Sequence, residues 1–174
     1  MTTTPLGPRP ESLPPSASAV EMNEIVLPSH ANAVGSMFGG VLMSWIDVCA
    51  GISAGRHARA VVVTASMDQL DFEAPIRVGD VVTLRAMVNA AGRSSMEVGV
   101  RVEREVPTTG ERVHAASAYL TFVALDAAGN PTRVPSISPE SDLERLRFDE
   151  AQLRRAKRLE TANARKAMRS GRSL

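Results

Sequence analysis

The chain has 174 residues, 44% of them hydrophobic and 3% aromatic, with a net charge of +1 and a single cysteine. This length and apolar content suit one domain with tails, its core drawn from Val, Leu, Ile, Ala and Met. The near-neutral balance excludes a dominant pull towards polyanions, the lack of aromatics disfavours base stacking on single-stranded nucleic acid, and a lone Cys49 excludes an intramolecular disulfide or a multi-cysteine zinc site.

Charge is uneven along the chain: the stretch from Glu140 onward is basic, and the remainder is slightly acidic. No signal-peptide pattern or membrane-length apolar run is visible, which gives the expectation of a cytoplasmic protein. Residues 1–20 are rich in Pro, Ser and Thr and are expected to be a disordered tail. Residues 21–136 read as the folded domain, and 137–174 as a basic amphipathic helix and tail.

Within the domain, Glu24-Ile-Val-Leu reads as a short first strand ending before Pro28, and His30 and Asn32 fall in the loop that follows. From about Gly39 the chain is apolar on nearly every side, with Leu42, Trp45, Ile46, Cys49 and Ile52 on one broad face. That pattern predicts a buried helix, closed by the basic run Arg56-His57-Ala-Arg59. Gly40, Ser44, Asp47 and Gly51 form one narrow stripe along it. Asp47 is the only acid between Glu24 and Asp68, and a buried carboxylate is costly unless hydrogen-bonded, paired or functional. Cys49, on the same helix, reads as a small core residue rather than a nucleophile.

Val61 to Met67 is β-branched and strand-like. Asp71 to Asp80 forms a turn in which Pro75 fixes φ and Gly79 supplies the bend. Three long segments with period-two alternation follow, over Val81–Ala91, Ser95–Val106 and Val113–Leu125, joined by Ala91-Gly92-Arg93 and by Pro107-Thr-Thr-Gly110. Strands joined by short turns make an antiparallel meander, so the fold class is α+β. Ser138-Pro139-Glu140 reads as the start of the C-terminal helix, with Leu143, Leu146, Leu153, Ala156 and Leu159 spaced amphipathically. Interleaved acids on that helix argue for a solvated or subunit-packing role over membrane binding.

The run Asn32-x-x-Gly35-x-x-Phe38-Gly39-Gly40-x-Leu42-Met43-x-x-Ile46-Asp47 resembles the signature of hotdog-fold acyl-CoA thioesterases, in the branch of broad-range bacterial and brain-type acyl-CoA hydrolases. The segment Phe72-x-x-Pro75-x-x-x-Gly79-Asp80 is similar to a turn of the same family. The resemblance implies a single hotdog domain, a long central helix wrapped by a curved antiparallel sheet, that hydrolyses acyl-CoA to free acid and CoA. It needs no cofactor, since coenzyme A is part of the substrate.

By resemblance, Asp47 is the general base for water or the nucleophile. A desolvated carboxylate there would have a raised pKa, favouring base chemistry near neutrality. Unpaired N–H groups at Gly39 and Gly40 would form the oxyanion hole, with Asn32 positioning water or thioester. Phe38, Thr64 and Ser66 are expected to line the substrate site, and Arg93, Ser94 and Ser95 to meet the phosphates or pantetheine of CoA. Asp47 lies about 10 Å along the helix from Gly40, so a dimer interface sharing the site is expected. The resemblance extends this to a trimer of dimers.

Three histidines, His30, His57 and His114, show no metal-ligand spacing, so no metal is expected. No Gly-x-Ser-x-Gly elbow is present, which disfavours a serine hydrolase. The rival readings are a hotdog hydratase, disfavoured because no histidine accompanies Asp47 on its helix, and a non-catalytic acyl-CoA sensor. No nucleic-acid partner is expected.

Overall fold

The computed structural model describes residues 9–170, in two compact units divided between Ser138 and Pro139. The first unit opens with β1 (Ser12–Leu13) and a 3-10 turn at Pro15–Ser18. It continues through β2 (Val20–Ile25), a second 3-10 turn at Pro28–His30, and helix α1 (Gly39–Ala58). Then come β3 (Val61–Phe72), β4 (Val81–Ala91), β5 (Ser95–Val106), β6 (Glu111–Leu125) and β7 (Ser136–Ile137). The five long strands form one antiparallel sheet in the order β2-β4-β5-β6-β3, while β1 pairs in parallel with β7.

Alternation dictates the core. Val82, Leu84, Ala86 and Val88 of β4, Met96, Val98, Val100 and Val102 of β5, and Ala116, Ala118, Leu120 and Phe122 of β6 are all buried on one sheet face. Leu42, Ile46, Cys49, Ala50 and Ala54 of α1 join them in one core cluster. The Cys49 thiol lies 3.8 Å from the Leu84 carbonyl, and burial pushes its pKa up to about 11. It is a core residue, as its position suggested.

Three sequence expectations change. First, α1 is not buried on all sides: Met43, Val48 and Ile52 are 42–51% exposed, on the side away from the core cluster. Second, of the stretch read as a disordered tail, residues 1–8 lie outside the described residues, but the chain from Ser12 is ordered. Ser18 is fully buried, its Oγ donating to Pro15 O at 2.7 Å and accepting the Val88 N–H at 2.9 Å, and β2 begins at Val20 rather than Glu24. Third, β3 runs on to Phe72, past Met67. Register shifts against β6 at Thr64/Ser66 and Met67/Gln69 interrupt its alternation, and as an edge strand it leaves Val61, Val63 and Phe72 exposed.

The turn before β4 is built as its residues suggested. Gly79 has φ +91°, Asp80 accepts the Arg77 N–H at 2.8 Å, and Gly79 and Val26 tie the turn to the end of β2. In the second unit, helix α2 spans Asp142–Ser170. Its cap is Ser141, not Ser138. The Ser141 Oγ accepts the Glu144 N–H at 3.2 Å while the Glu144 carboxylate accepts N–H groups of Glu140 and Ser141, a capping box that places Pro139 outside the helix.

Candidate active site

The loop entering α1 is a tight hairpin. Phe38 N–H donates to His30 O at 2.7 Å, Ala31 bridges Met37, and Asn32 N–H donates to Ser36 O at 2.7 Å. Gly35 at the tip takes φ +79°, a conformation that side chains disfavour. Asn32 organises the turn through its side chain. Its Oδ1 accepts the N–H groups of Val34 at 3.0 Å and Ser36 at 3.2 Å, and its Nδ2 donates to Ser36 Oγ at 2.9 Å. Among the described residues, one Nδ2 hydrogen has no acceptor.

Phe38 caps α1 in an extended conformation with no side-chain hydrogen bond. The N–H groups of Val41 and Leu42 turn back to Phe38 O, and among the described residues those of Gly39 and Gly40 find no acceptor. Two exposed rings flank this helix start. A Cβ on Gly40 would come 2.5 Å from the Phe38 ring, and one on Gly39 would come 3.4 Å from the Phe72 ring. A cavity of about 250 Å³ lies beside Phe72, its lining including Ser36, Met37, Leu42, Glu73 and Ile76. A glycine pair with free donors suits a carbonyl oxygen, and the nearby cavity, lined by both apolar and polar side chains, has room for part of a substrate.

Two turns along α1 lies Asp47. It is half-buried rather than buried, on the open side of the helix, and its Oδ1 accepts a hydrogen bond from Thr64 Oγ1 at 2.7 Å. Thr64 stands opposite Phe122 of β6, on the face towards the core. The bulge that follows turns Ser66 to the other face, opposite Thr121, where its hydroxyl donates to Asp68 Oδ1 at 2.8 Å. Thr64 therefore joins Asp47 and Ser66 does not.

Arg93, Ser94 and Ser95 lie at the β4–β5 hairpin. Arg93 is exposed, and among the described residues its guanidinium has no partner. Ser95 pairs with Val123, which pairs with Val63, so the hairpin is two strands, about 10 Å, from the residue before Thr64. His57 also requires a correction: it stands on α1, as Asp47 does. It is fully buried, its Nε2 lies 2.9 Å from Pro135 O, and burial holds its pKa below the usual imidazole value. Among the described residues its Nδ1 has no partner, and no group of three or more His, Cys, Asp or Glu side chains could hold a metal.

One helix laid along a five-stranded antiparallel sheet, with a glycine-bearing start and a carboxylate two turns on, defines a thioesterase-like architecture. The family model for the Thioesterase superfamily matches residues 34–111. The uncharacterized acyl-CoA thioester hydrolase YkhA of Bacillus subtilis is 50% identical over 127 residues, 73% of this chain and 74% of its own. The cytosolic acyl coenzyme A thioester hydrolase of mouse is 37% identical over 147 residues, 83% of this chain but 38% of its own, so the chain spans well under half of that relative.

Among solved structures, an acyl-CoA hydrolase of Staphylococcus aureus in complex with butyryl coenzyme A and coenzyme A is 42% identical with a TM-score of 0.81, over 90% of this chain and 98% of that one. An apo-hexameric acyl-CoA thioesterase is 38% identical with a TM-score of 0.85, over 87% and 97% of the two chains. The chain belongs to the hotdog-fold acyl-CoA thioesterase family.

The S. aureus enzyme has also been solved with alanine in place of one asparagine, one aspartate or one threonine. In that protein the asparagine precedes the aspartate by 15 positions and the threonine follows it by 17. Those are the intervals separating Asn32, Asp47 and Thr64. Thr64 was legible only as a residue near the site. Its bond to Asp47 is a strand-to-helix contact across 17 residues, and no local pattern announces such a contact.

Proposed function

We propose that the chain hydrolyses acyl-CoA to a free acid and CoA, at a site shared between two copies in a homo-oligomer. The observation that carries this reading is the 2.7 Å bond from Thr64 to Asp47, in a chain that repeats the asparagine, aspartate and threonine spacing replaced in the S. aureus hydrolase. Thr64 holds one carboxylate oxygen and leaves the other to take a proton from water. The hydroxide so formed adds to the thioester carbonyl, and the Gly39 and Gly40 N–H groups receive the developing oxyanion. Collapse of that intermediate breaks the carbon–sulfur bond, and the proton held by Asp47 passes to the departing thiolate. Asn32, with one free Nδ2 hydrogen, positions the water or the thioester. Arg93, Ser94 and Ser95 meet the CoA phosphates or pantetheine, and the cavity beside Phe72 receives the acyl end.

Two copies are needed because Asp47 lies seven residues, about 10 Å, from Gly40 on one helix. Gly39 packs by Phe72 at one end of β3, and Asp47 binds Thr64 towards the other. Antiparallel pairing of two copies along the open edge of β3 brings the Asp47 end of one copy beside the Gly39 end of the other. It also covers Met43, Val48 and Ile52, exposed apolar side chains of α1. A hexamer, as in the apo-hexameric relative, is the assembly we expect, built as a trimer of dimers. No helix among the described residues is long and apolar enough to cross a membrane, and the cytosolic naming of the mammalian relative supports a cytoplasmic setting.

Release of free thiol from acyl-CoAs of graded chain length, with Asp47→Asn as comparison, tests the proposal. Turnover that collapses in the variant with the oligomer intact supports it. Tight acyl-CoA binding without turnover replaces it with the sensor reading. Single-turnover hydrolysis in H₂¹⁸O tests the nucleophilic role: ¹⁸O in the Asp47 carboxylate requires a mixed anhydride opened by water at the Asp47 carbonyl, an intermediate that a general base does not form.

A further inference from the structure

One residue outside the signature motif, His30, contacts both the exit of β2 and α1 at the base of the hairpin that carries Asn32. His30 and Leu27 exchange two hydrogen bonds across the 3-10 turn. The His30 N–H donates to Leu27 O at 2.9 Å, and the Leu27 N–H donates to His30 Nδ1 at 3.2 Å. An accepting Nδ1 carries no proton, so the neutral ring holds its proton on Nε2. The His30 carbonyl accepts the Phe38 N–H at 2.7 Å, closing the hairpin at the residue that caps α1. Its ring stands edge-on to Trp45 of α1, with centroids 5.1 Å apart and planes at 88°. One half-buried residue thus joins the exit of β2 and the second turn of α1 through its side chain, and the closing end of the Asn32 hairpin through its carbonyl.

We infer that His30 is a positioning residue: it sets where Phe38, the Gly39 and Gly40 N–H groups and Asn32 stand relative to α1. This rests on the proposed thioester hydrolysis, because those are the groups assigned to the carbonyl and the water. The hairpin is also tied on its far side to the turn before β4, by the Met37 N–H to Ile76 O at 2.8 Å and a bridge from Ser36 to Arg77, so His30 sets its position on the side of β2 and α1. His30 supplies two anchors of different kinds, an acceptor for Leu27 and a ring for Trp45, and substitutions separate them. In His30→Asn the Oδ1 stands as many bonds from the backbone as Nδ1 does, so the acceptor stays and the ring is lost. In His30→Phe the ring stays and the acceptor is lost.

Both variants and wild type are assayed for kcat and KM on acyl-CoA and for hydrogen exchange of peptides spanning residues 27–38. Trp45 is the only tryptophan in the chain, so its emission reports the ring contact without ambiguity. His30→Phe is expected to lower kcat about tenfold or more with KM within about threefold, and to speed exchange over the hairpin. His30→Asn is expected to restore both to within about threefold of wild type while Trp45 emission shifts to the red.

The inference is overturned if His30→Phe matches wild type in kcat and exchange, or if His30→Asn is no better than His30→Phe. A loss that tracks dissociation of the oligomer also overturns it. Should wild type hydrolyse no acyl-CoA, the proposed function fails by itself, and exchange still decides the point. Faster exchange in His30→Phe that His30→Asn reverses upholds the positioning role, and unchanged exchange removes it.

Discussion

Replacing Thr64 with Val keeps the shape of the side chain and removes the one hydroxyl that holds Asp47. A hydrogen bond to a charged group is worth about 1.5–3 kcal/mol when shielded. Asp47 is half-buried and Thr64 exposed, so solvent competes and about 1–2 kcal/mol is the appropriate range. If that energy orients the carboxylate in the transition state, kcat falls about 5- to 30-fold, at about 1.4 kcal/mol per factor of ten. Stability should change by less than about 1 kcal/mol, since water replaces the hydroxyl at an open position.

The assay is free-thiol release from butyryl-CoA and longer acyl-CoAs, by wild type, Thr64→Val, Asp47→Asn and the double variant. If Thr64 acts through Asp47, the double variant is no slower than Asp47→Asn alone. Full activity in Thr64→Val, or losses that multiply in the double variant, would refute the coupling on which the proposed site rests.

Two further outcomes follow from geometry. Gly40→Ala must push aside the Phe38 ring, which a Cβ would approach to 2.5 Å, whereas Gly39→Ala makes an ordinary 3.4 Å contact with Phe72. Turnover should therefore fall more in Gly40→Ala, while both variants keep or raise their Tm because Ala favours helix over Gly by about 1 kcal/mol. Asn32→Asp keeps the two backbone bonds to Oδ1 but loses the Nδ2 donor, and Asn32→Ala loses all three bonds. Hydrogen exchange over residues 32–36 should rise in Ala far more than in Asp, and thiol release should suffer in both.

His57 contributes to acid sensitivity. Burial lowers its folded-state pKa, so below the ordinary imidazole value of about 6.5 the unfolded chain takes up a proton that the folded chain refuses. Its stabilising effect is complete above that pH and is lost as pH falls through the lowered value, with a slope of at most about 1.4 kcal/mol per pH unit. Urea midpoints between pH 5 and 8 should show this limb in wild type, and its persistence in His57→Asn would assign it elsewhere.

What could be read in advance divides along physical lines. Strands β4, β5 and β6 have both neighbours in the sheet and one face in the core, so their alternation is clean and their limits were legible to within a few residues. Strand β3 has a neighbour on one side only and two register shifts, and its outward residues include Val61 and Val63, so hydropathy misplaces its end. For α1, hydropathy registered Val48 and Ile52 as core, although within one copy they face outward. Asn32, the glycines and Asp47 stood out through motif spacing, because loop and helix hold them at short range. The partner of Asp47, the diversion of Ser66 to the other sheet face and the anchoring by His30 arise from tertiary contacts, which no local pattern encodes.

The short parallel pairing of β1 with β7 bears on how such a unit can be joined to others. Ser12 lies beside Ser136 and Leu13 beside Ile137, so the first and last strands of the unit meet at one place on its surface. Adjacent ends permit a second unit to be spliced in by a short connector from either direction, without crossing the sheet or disturbing the strand order. The same adjacency makes the unit suited to circular permutation, with its old ends linked and new ones opened at the exposed Pro107–Gly110 turn. Duplication of the unit, or its insertion into a larger chain, then needs only an in-frame junction at a loop.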